Sequence, residues 1–167
     1  AINAKVDAKV SFAEADLSLF KNFPNANVTL EKLVIINKAP FQGDTLISLG
    51  ELNLKMSIKE LFKGENEAIA SDGITSKNGL INIIFNKDGI GNYDIALKDD
   101  KSKDDEKSSP LAFKIQDYKV ENFKFRYFDK SSKINMKIDS LNHEGTGDFT
   151  TSKLDLVTKS TAKVSLD

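Results

Sequence analysis

The chain has 167 residues, a formal net charge of −1, 40% hydrophobic and 29% charged residues, no cysteine and one histidine, His143. A chain of that length and composition can bury a core, and its near-neutral balance gives no electrostatic footprint for nucleic acid or an anionic membrane surface. Without cysteine there are no disulfides, thiolate metal sites or cysteine nucleophiles, and a lone histidine serves metal binding and acid–base chemistry poorly.

Val6, Ala8, Val10 and Phe12 alternate with Lys5, Asp7, Lys9 and Ser11, the period-two pattern of a half-buried strand. Asp16 is placed to cap a short helical turn over Leu17–Asn22, which Phe23-Pro24 would end. Val28 to Ile36 reads as one strand, or as two joined by a kink around Glu31-Lys32, and Asn37 to Asp44 is a connection. Leu46 to Leu49 begins a strand, and Leu52, Leu54, Met56 and Ile58 alternate against Asn53, Lys55 and Ser57. Ser57 and Glu60 have capping-box spacing, which predicts a brief helix over 58–63 ended by Gly64.

Ile69 to Thr75 is a weaker strand, and Asn78-Gly79 predicts a tight hairpin because both residues tolerate positive φ. Ile81, Ile83 and Phe85 alternate beyond it, Asn86 to Gly89 turns, and Ile90 to Leu97 returns as a strand. Residues 98–110 hold no apolar side chain and read as a solvated linker; the alternative, a cation site of Asp99, Asp100, Asp104, Asp105 and Glu106, is opposed by the lysines between them. Then Leu111, Phe113 and Ile115 alternate, as do Phe123, Phe125 and Tyr127, and, after a turn at 129–132, Ile134, Met136 and Ile138. Leu154, Leu156, Val164 and Leu166 continue the theme, and His143 reads as part of a turn after a strand.

The fold class expected is mainly β: a curved antiparallel sheet or meander with two short helices. It divides into a first β-rich unit (1–97), the charged linker (98–110) and a second unit continuing the same sheet (111–167). Val28-x-Leu30 to Asn37, then Leu52-Asn53, is matched by Val120-x-Asn122 to Asp129, then Leu141-Asn142, which suggests a repeated strand–turn–strand unit. No nucleophile elbow, P-loop or complete dinucleotide fingerprint is present, and no two carboxylates are marked as buried and close, so no catalytic, cofactor or metal residue is expected. The sites that remain are apolar: Leu52, Leu54, Met56, Ile81, Ile83, Phe85, Phe123, Phe125, Tyr127, Ile134, Met136 and Ile138. Periodicity leaves open whether they form a closed β-sandwich core or an uncovered face that holds acyl chains.

Several short motifs occur in an order that resembles the AsmA-like family of bacterial envelope proteins. They are Leu17-Ser18-Leu19-Phe20-Lys21-Asn22-Phe23-Pro24 followed by Val28-Thr29-Leu30, Pro40-Phe41-Gln42-Gly43-Asp44-Thr45-Leu46, and Lys87-Asp88-Gly89-Ile90-Gly91-Asn92-Tyr93-Asp94. Tyr127-Phe128-Asp129, Leu141-Asn142 and Gly145 to Thr150 resemble the second part of the same region. The resemblance implies a non-enzymatic periplasmic segment, anchored to the inner membrane through a helix outside this chain. It also implies a repeating β-groove and a role in phospholipid transport to, or assembly of, the outer membrane. The implied partner is a phospholipid or other acyl-chain lipid, with an envelope protein partner as the alternative reading. No run of the ~18 apolar residues needed to span a bilayer occurs, and the missing initiator methionine and signal peptide read as those of an excised segment.

Overall fold

The computed structural model describes residues 6–63, 70–95, 114–147 and 157–166. They form one open mixed sheet: β1 (Ala8–Ser11), β2 (Glu14–Asn22), β3 (Asn25–Asn37), β4 (Thr45–Ser57), β5 (Ala70–Phe85), β6 (Lys114–Asp129), β7 (Ile134–Thr146) and β8 (Val157–Leu166). The order is β1-β3-β4-β5-β6-β7-β8, with β2 beside β3 below β1. Every pairing is antiparallel except β5–β6, which is parallel, so the mainly β fold holds and the expected curved antiparallel sheet or meander is a mixed sheet. A parallel pair needs a crossover. The chain between the two strands is 86–113, and the charged linker with all five residues of the cation-site alternative lies outside the described residues.

The helical turn expected over Leu17–Asn22 is a strand. β1 and β2 run along one edge of β3 in a single register as far as Ser18, and a helix at 17–22 would leave the backbone of 25–28 unpaired on that side. Of the two expected helices only a 3₁₀ turn, Ile58–Phe62, forms. Ser57 caps it by accepting from Lys59 N, but Glu60 does not close a capping box. Its carboxylate accepts from Ala70 N (2.7 Å) and pairs with Lys63 (2.6 Å), and these contacts hold its pKa below the usual value, Lys63 first.

The expected Asn78-Gly79 hairpin is likewise corrected: β5 runs straight through it. Asn78 does take the left-handed backbone its sequence favours (φ 54°), as do Lys32 (52°), Asn122 (53°) and Ser140 (51°) in the middle of their strands. These residues fall on one line across the sheet. Lys32 lies opposite Gly50, Gly50 opposite Asn78, and Asn78 beside Asn122. At Ser140 the β6–β7 and β7–β8 registers each slip, and at the far edge the same line separates β1 from β2, where Ala13 N donates to Glu31 O (2.9 Å).

This line is a crease, and it inverts the side-chain alternation of most strands that cross it. In a regular strand residues three apart face opposite sides. Here Leu49 and Leu52, and Val120 and Phe123, join one hydrophobic cluster with Leu33, Val10, Ile47, Ile81 and Leu141. The kink foreseen near Glu31-Lys32 is therefore one point of a fold line that spans the sheet. The crease also relates the two halves of the chain: Lys32 and Gly50 on β3–β4 are as far apart in sequence as Asn122 and Ser140 on β6–β7. That correspondence is two residues away from the one drawn through Val28 and Val120.

Segment 86–95 closes the upper end of the sheet, and beyond the Phe85–Gly91 bridge it is a turn rather than the expected strand. Buried Asn92 carries it: Nδ2 donates to Asn82 O (2.9 Å) and Asn37 Oδ1 (3.2 Å), while Oδ1 accepts from Ile84 N (2.9 Å). Asn37 Nδ2 donates in return to Asn92 O (2.7 Å), and Asp7 N donates to Ile95 O (2.7 Å). The segment thus ties β5 to β3 and to the chain before β1.

Candidate functional site: the apolar face of the sheet

Because the crease inverts the alternation, apolar residues from both halves of the chain share one face. Below it run two cross-sheet rows. One is Leu17, Val28, Leu54, Ile74, Tyr118, Gly145 and Thr158; the other is Ala15, Leu30, Leu52, Ser76, Val120, His143 and Ser160. Above it Val10, Ile35, Ile47, Ile81, Phe125, Ile138 and Val164 form a third row. Ile83, Tyr127, Met136 and Leu166 lie beyond, with Phe85 and Ile134 at the rim on either side of Asp129.

All twelve residues singled out from the alternation fall in these rows or next to them. Leu52, Leu54 and Met56 stand below the crease, Met56 opposite Ala26. Ile81, Ile83, Phe85, Phe123, Phe125, Tyr127, Ile134, Met136 and Ile138 stand above it, with Phe85 packed on Tyr127 at 5.7 Å between ring centroids. Sequence reasoning missed Leu33, Leu49, Val120 and Leu141, which join the two groups at the crease. The signal for them was the pair of leucines flanking Gly50-Glu51, whose odd spacing breaks the strict alternation.

Burial along the face is graded. Phe123 is 3% exposed and Met56 5%, whereas Ile134 is 44%, Val164 64% and Leu166 70% exposed. Phe123 packs its ring against Gly79, where a Cβ would collide with it. Among the described residues the principal contacts of each strand are with its hydrogen-bonded neighbours, and segment 86–95 lies against the upper end of the sheet, where Asn92 bonds Asn37 and Tyr93 packs on Phe85 at 5.8 Å between ring centroids.

A polar chain interrupts the face on β6–β8. The Tyr118 hydroxyl lies 2.7 Å from His143 Nε2, and His143 Nδ1 lies 2.6 Å from Ser160 Oγ. Gly145, opposite Tyr118, leaves room for its ring. His143 is therefore inside β7, not in the turn expected for it.

Below the crease the opposite face is polar, whereas above it that face also carries Val34, Leu80, Ile84 and Phe128. One row reads Asp16, Thr29, Asn53, Thr75, Lys119, Glu144 and Lys159, with Asn53 Nδ2 donating to Thr29 Oγ1 at 2.7 Å. Lys119 pairs with Glu121 and holds its carboxyl below the usual range, as Arg126 does for Asp139 at 2.6 Å. Asp129 accepts from the hydroxyls and backbone amides of Ser131 and Ser132, which lowers its pKa to about 2. Among the described residues no three histidine or carboxylate side chains converge on a metal position. No helix there is long and apolar enough to cross a membrane.

Comparison of the chain with protein-family models, with curated proteins and with solved structures gave no match.

Proposed function

We propose that this chain is a non-enzymatic segment of an AsmA-like envelope protein, and that its apolar sheet face contributes a groove for acyl chains. The observation that carries the reading is an apolar face that crosses the sheet and grades from buried Phe123 to Val164 and Leu166, which are 64% and 70% exposed. Acyl chains lying on that face would leave water while the head groups stay solvated, and burial of each CH₂ contributes about 0.8 kcal/mol. Such a role is passive, so it asks for long alternating strands and no catalytic group. The motif resemblance supplies the setting: the periplasm, an inner-membrane anchor outside this chain, and phospholipid movement toward the outer membrane.

Native mass spectrometry and organic extraction of the protein purified from bacterial membranes test this. Diacyl phospholipid bound in a defined ratio is the expected result. Lipid-free protein that also takes up no fluorescent phospholipid from vesicles overturns it.

A second reading, an envelope scaffold that recruits a protein by strand addition, is favoured by β8, every residue of which is exposed. A stoichiometric protein partner in pull-downs from envelope extract, with no lipid, is the outcome that selects it.

A further inference from the structure

We infer that the polar chain Tyr118–His143–Ser160 is the subsite for the ester groups of an acyl lipid lying on this face, with the exposed Ser160 hydroxyl donating to an ester carbonyl. The inference rests on the acyl-chain reading proposed above and deepens it, by naming where the lipid is held through its polar part and which way it lies.

In the three cross-sheet rows, polar side chains gather at one corner. On β3–β5 the two rows below the crease read Val28, Leu54, Ile74 and Leu30, Leu52, Ser76, where buried Ser76 turns its hydroxyl to Glu51 O (2.8 Å). The row above the crease is apolar from Val10 to Val164. Only on β6–β8 do the lower rows turn polar, ending in Tyr118, Gly145, Thr158 and in Val120, His143, Ser160. Two open cavities adjoin this corner. One of about 480 Å³ is lined by Ile74, Tyr118, Gly145 and Thr158 among others, and one of about 280 Å³ takes in Val120, His143 and Ser160. A lipid with its ester groups at the corner extends its acyl chains up across the crease, over Phe125, Ile138 and Val164.

Proton accounting shows what the corner offers. The Tyr118 hydroxyl is 2.7 Å from His143 Nε2, and Nδ1 is 2.6 Å from Ser160 Oγ. A neutral imidazole has one N–H donor and one acceptor, so the protons run one way or the other. Run toward Ser160, Tyr118 donates to Nε2, Nδ1–H donates to Ser160 Oγ, and the Ser160 proton is left to donate outward. Run toward Tyr118, Ser160 spends its proton on Nδ1 and offers a ligand only an acceptor. An ester carbonyl is acceptor-only, so it selects the first direction. Ser160 stands at the accessible end, on a strand whose residues are all exposed. An alkyl chain gains nothing from either state, and an ether oxygen accepts more weakly than a carbonyl.

The test compares a short-chain diacyl phosphatidylcholine with its dialkyl ether, identical in head group and chain length, each added as monomers to the native protein. Titration calorimetry should find the diacyl lipid bound about five- to tenfold more tightly, the worth of one hydrogen bond. Ser160→Ala should lower diacyl affinity to that of the ether and leave ether binding unchanged. His143 is the single histidine, so its ring-nitrogen NMR shifts read the tautomer directly. The diacyl lipid, and not the ether, should move it toward Nδ1–H. Equal affinity of the native protein for both lipids, a preference that survives Ser160→Ala, or a tautomer indifferent to the diacyl lipid overturns this inference and leaves the acyl-chain reading standing. Binding of neither lipid overturns both.

Discussion

Asn122 Nδ2 donates to Asn78 Oδ1 at 2.8 Å across the parallel β5–β6 pair, and both residues hold left-handed backbone in the middle of their strands. Asn122 N also donates to Asn142 Oδ1 on β7 at 3.0 Å. The hydrogen bonds therefore pin the crease where the two halves of the chain meet. An L-residue other than glycine is strained there by about 1–2 kcal/mol, least for asparagine. Asn78→Gly relieves the backbone strain but loses the bond to Asn122, so it should cost no more than about 1 kcal/mol, whereas Asn78→Val loses the bond and should cost roughly 1–3 kcal/mol more because a β-branched residue resists positive φ. Urea unfolding measures both.

Phe123 lies on Gly79, and a methyl group there has no room. Gly79→Ala should cost about 1–3 kcal/mol by overpacking, and Phe123→Ala about 3–5 kcal/mol by opening a cavity. Because the two changes act on one contact, the double variant should cost less than their sum. A double-mutant cycle in denaturant reads the coupling directly, and additivity would refute the contact.

Phe125 and Phe123 share a face but differ in cover, Phe123 being buried and Phe125 half-buried. Under the proposed function Phe125→Glu keeps the fold, judged by circular dichroism, and loses co-purifying phospholipid. Phe123→Glu should not fold, since an unpaired charge cannot be buried. Unfolding by both would instead mean that the whole face is a closed core.

Asn92 satisfies Ile84 N and Asn37 together. Asn92→Ala strands those buried groups and should cost about 2 kcal/mol or more. Hydrogen exchange at Ile84 should rise more than at the crease.

Asp129 is held at about 2 by Ser131 and Ser132. A carboxylate depressed in the folded state contributes stability above its ordinary value of about 3.9, and loses it as pH falls toward the folded value. Native stability should therefore fall between about pH 4 and pH 2, in a window shared with Asp139, Glu121 and Glu60, whose pKa values are also lowered. D129N should flatten part of that fall, which acid titration of the unfolding midpoint measures.

The alternation of Leu52, Leu54 and Met56, or of Phe123, Phe125 and Tyr127, was enough to name strands and a common apolar face, because side-chain direction in a strand is a local property. The same local logic misplaced 17–22. Leu17 and Leu19 fit a strand as well as a turn, and the free edge of β3 decided between them. Asn78 shows the subtler case. Its tolerance of positive φ was visible in the sequence, but whether that makes a hairpin or a kink depends on which strands lie beside it.

The sequence by itself determined that the protein is mainly β, that its apolar side chains lie on one side of long strands, and that cysteine and clustered-histidine chemistry is absent. Only the tertiary structure decided that β5 and β6 run parallel. It alone aligned the left-handed residues of separate strands into one crease that joins two half-faces into a single apolar surface. The physical reason is that register between strands distant in sequence is set by backbone pairing and side-chain packing across the whole sheet, which no local window contains.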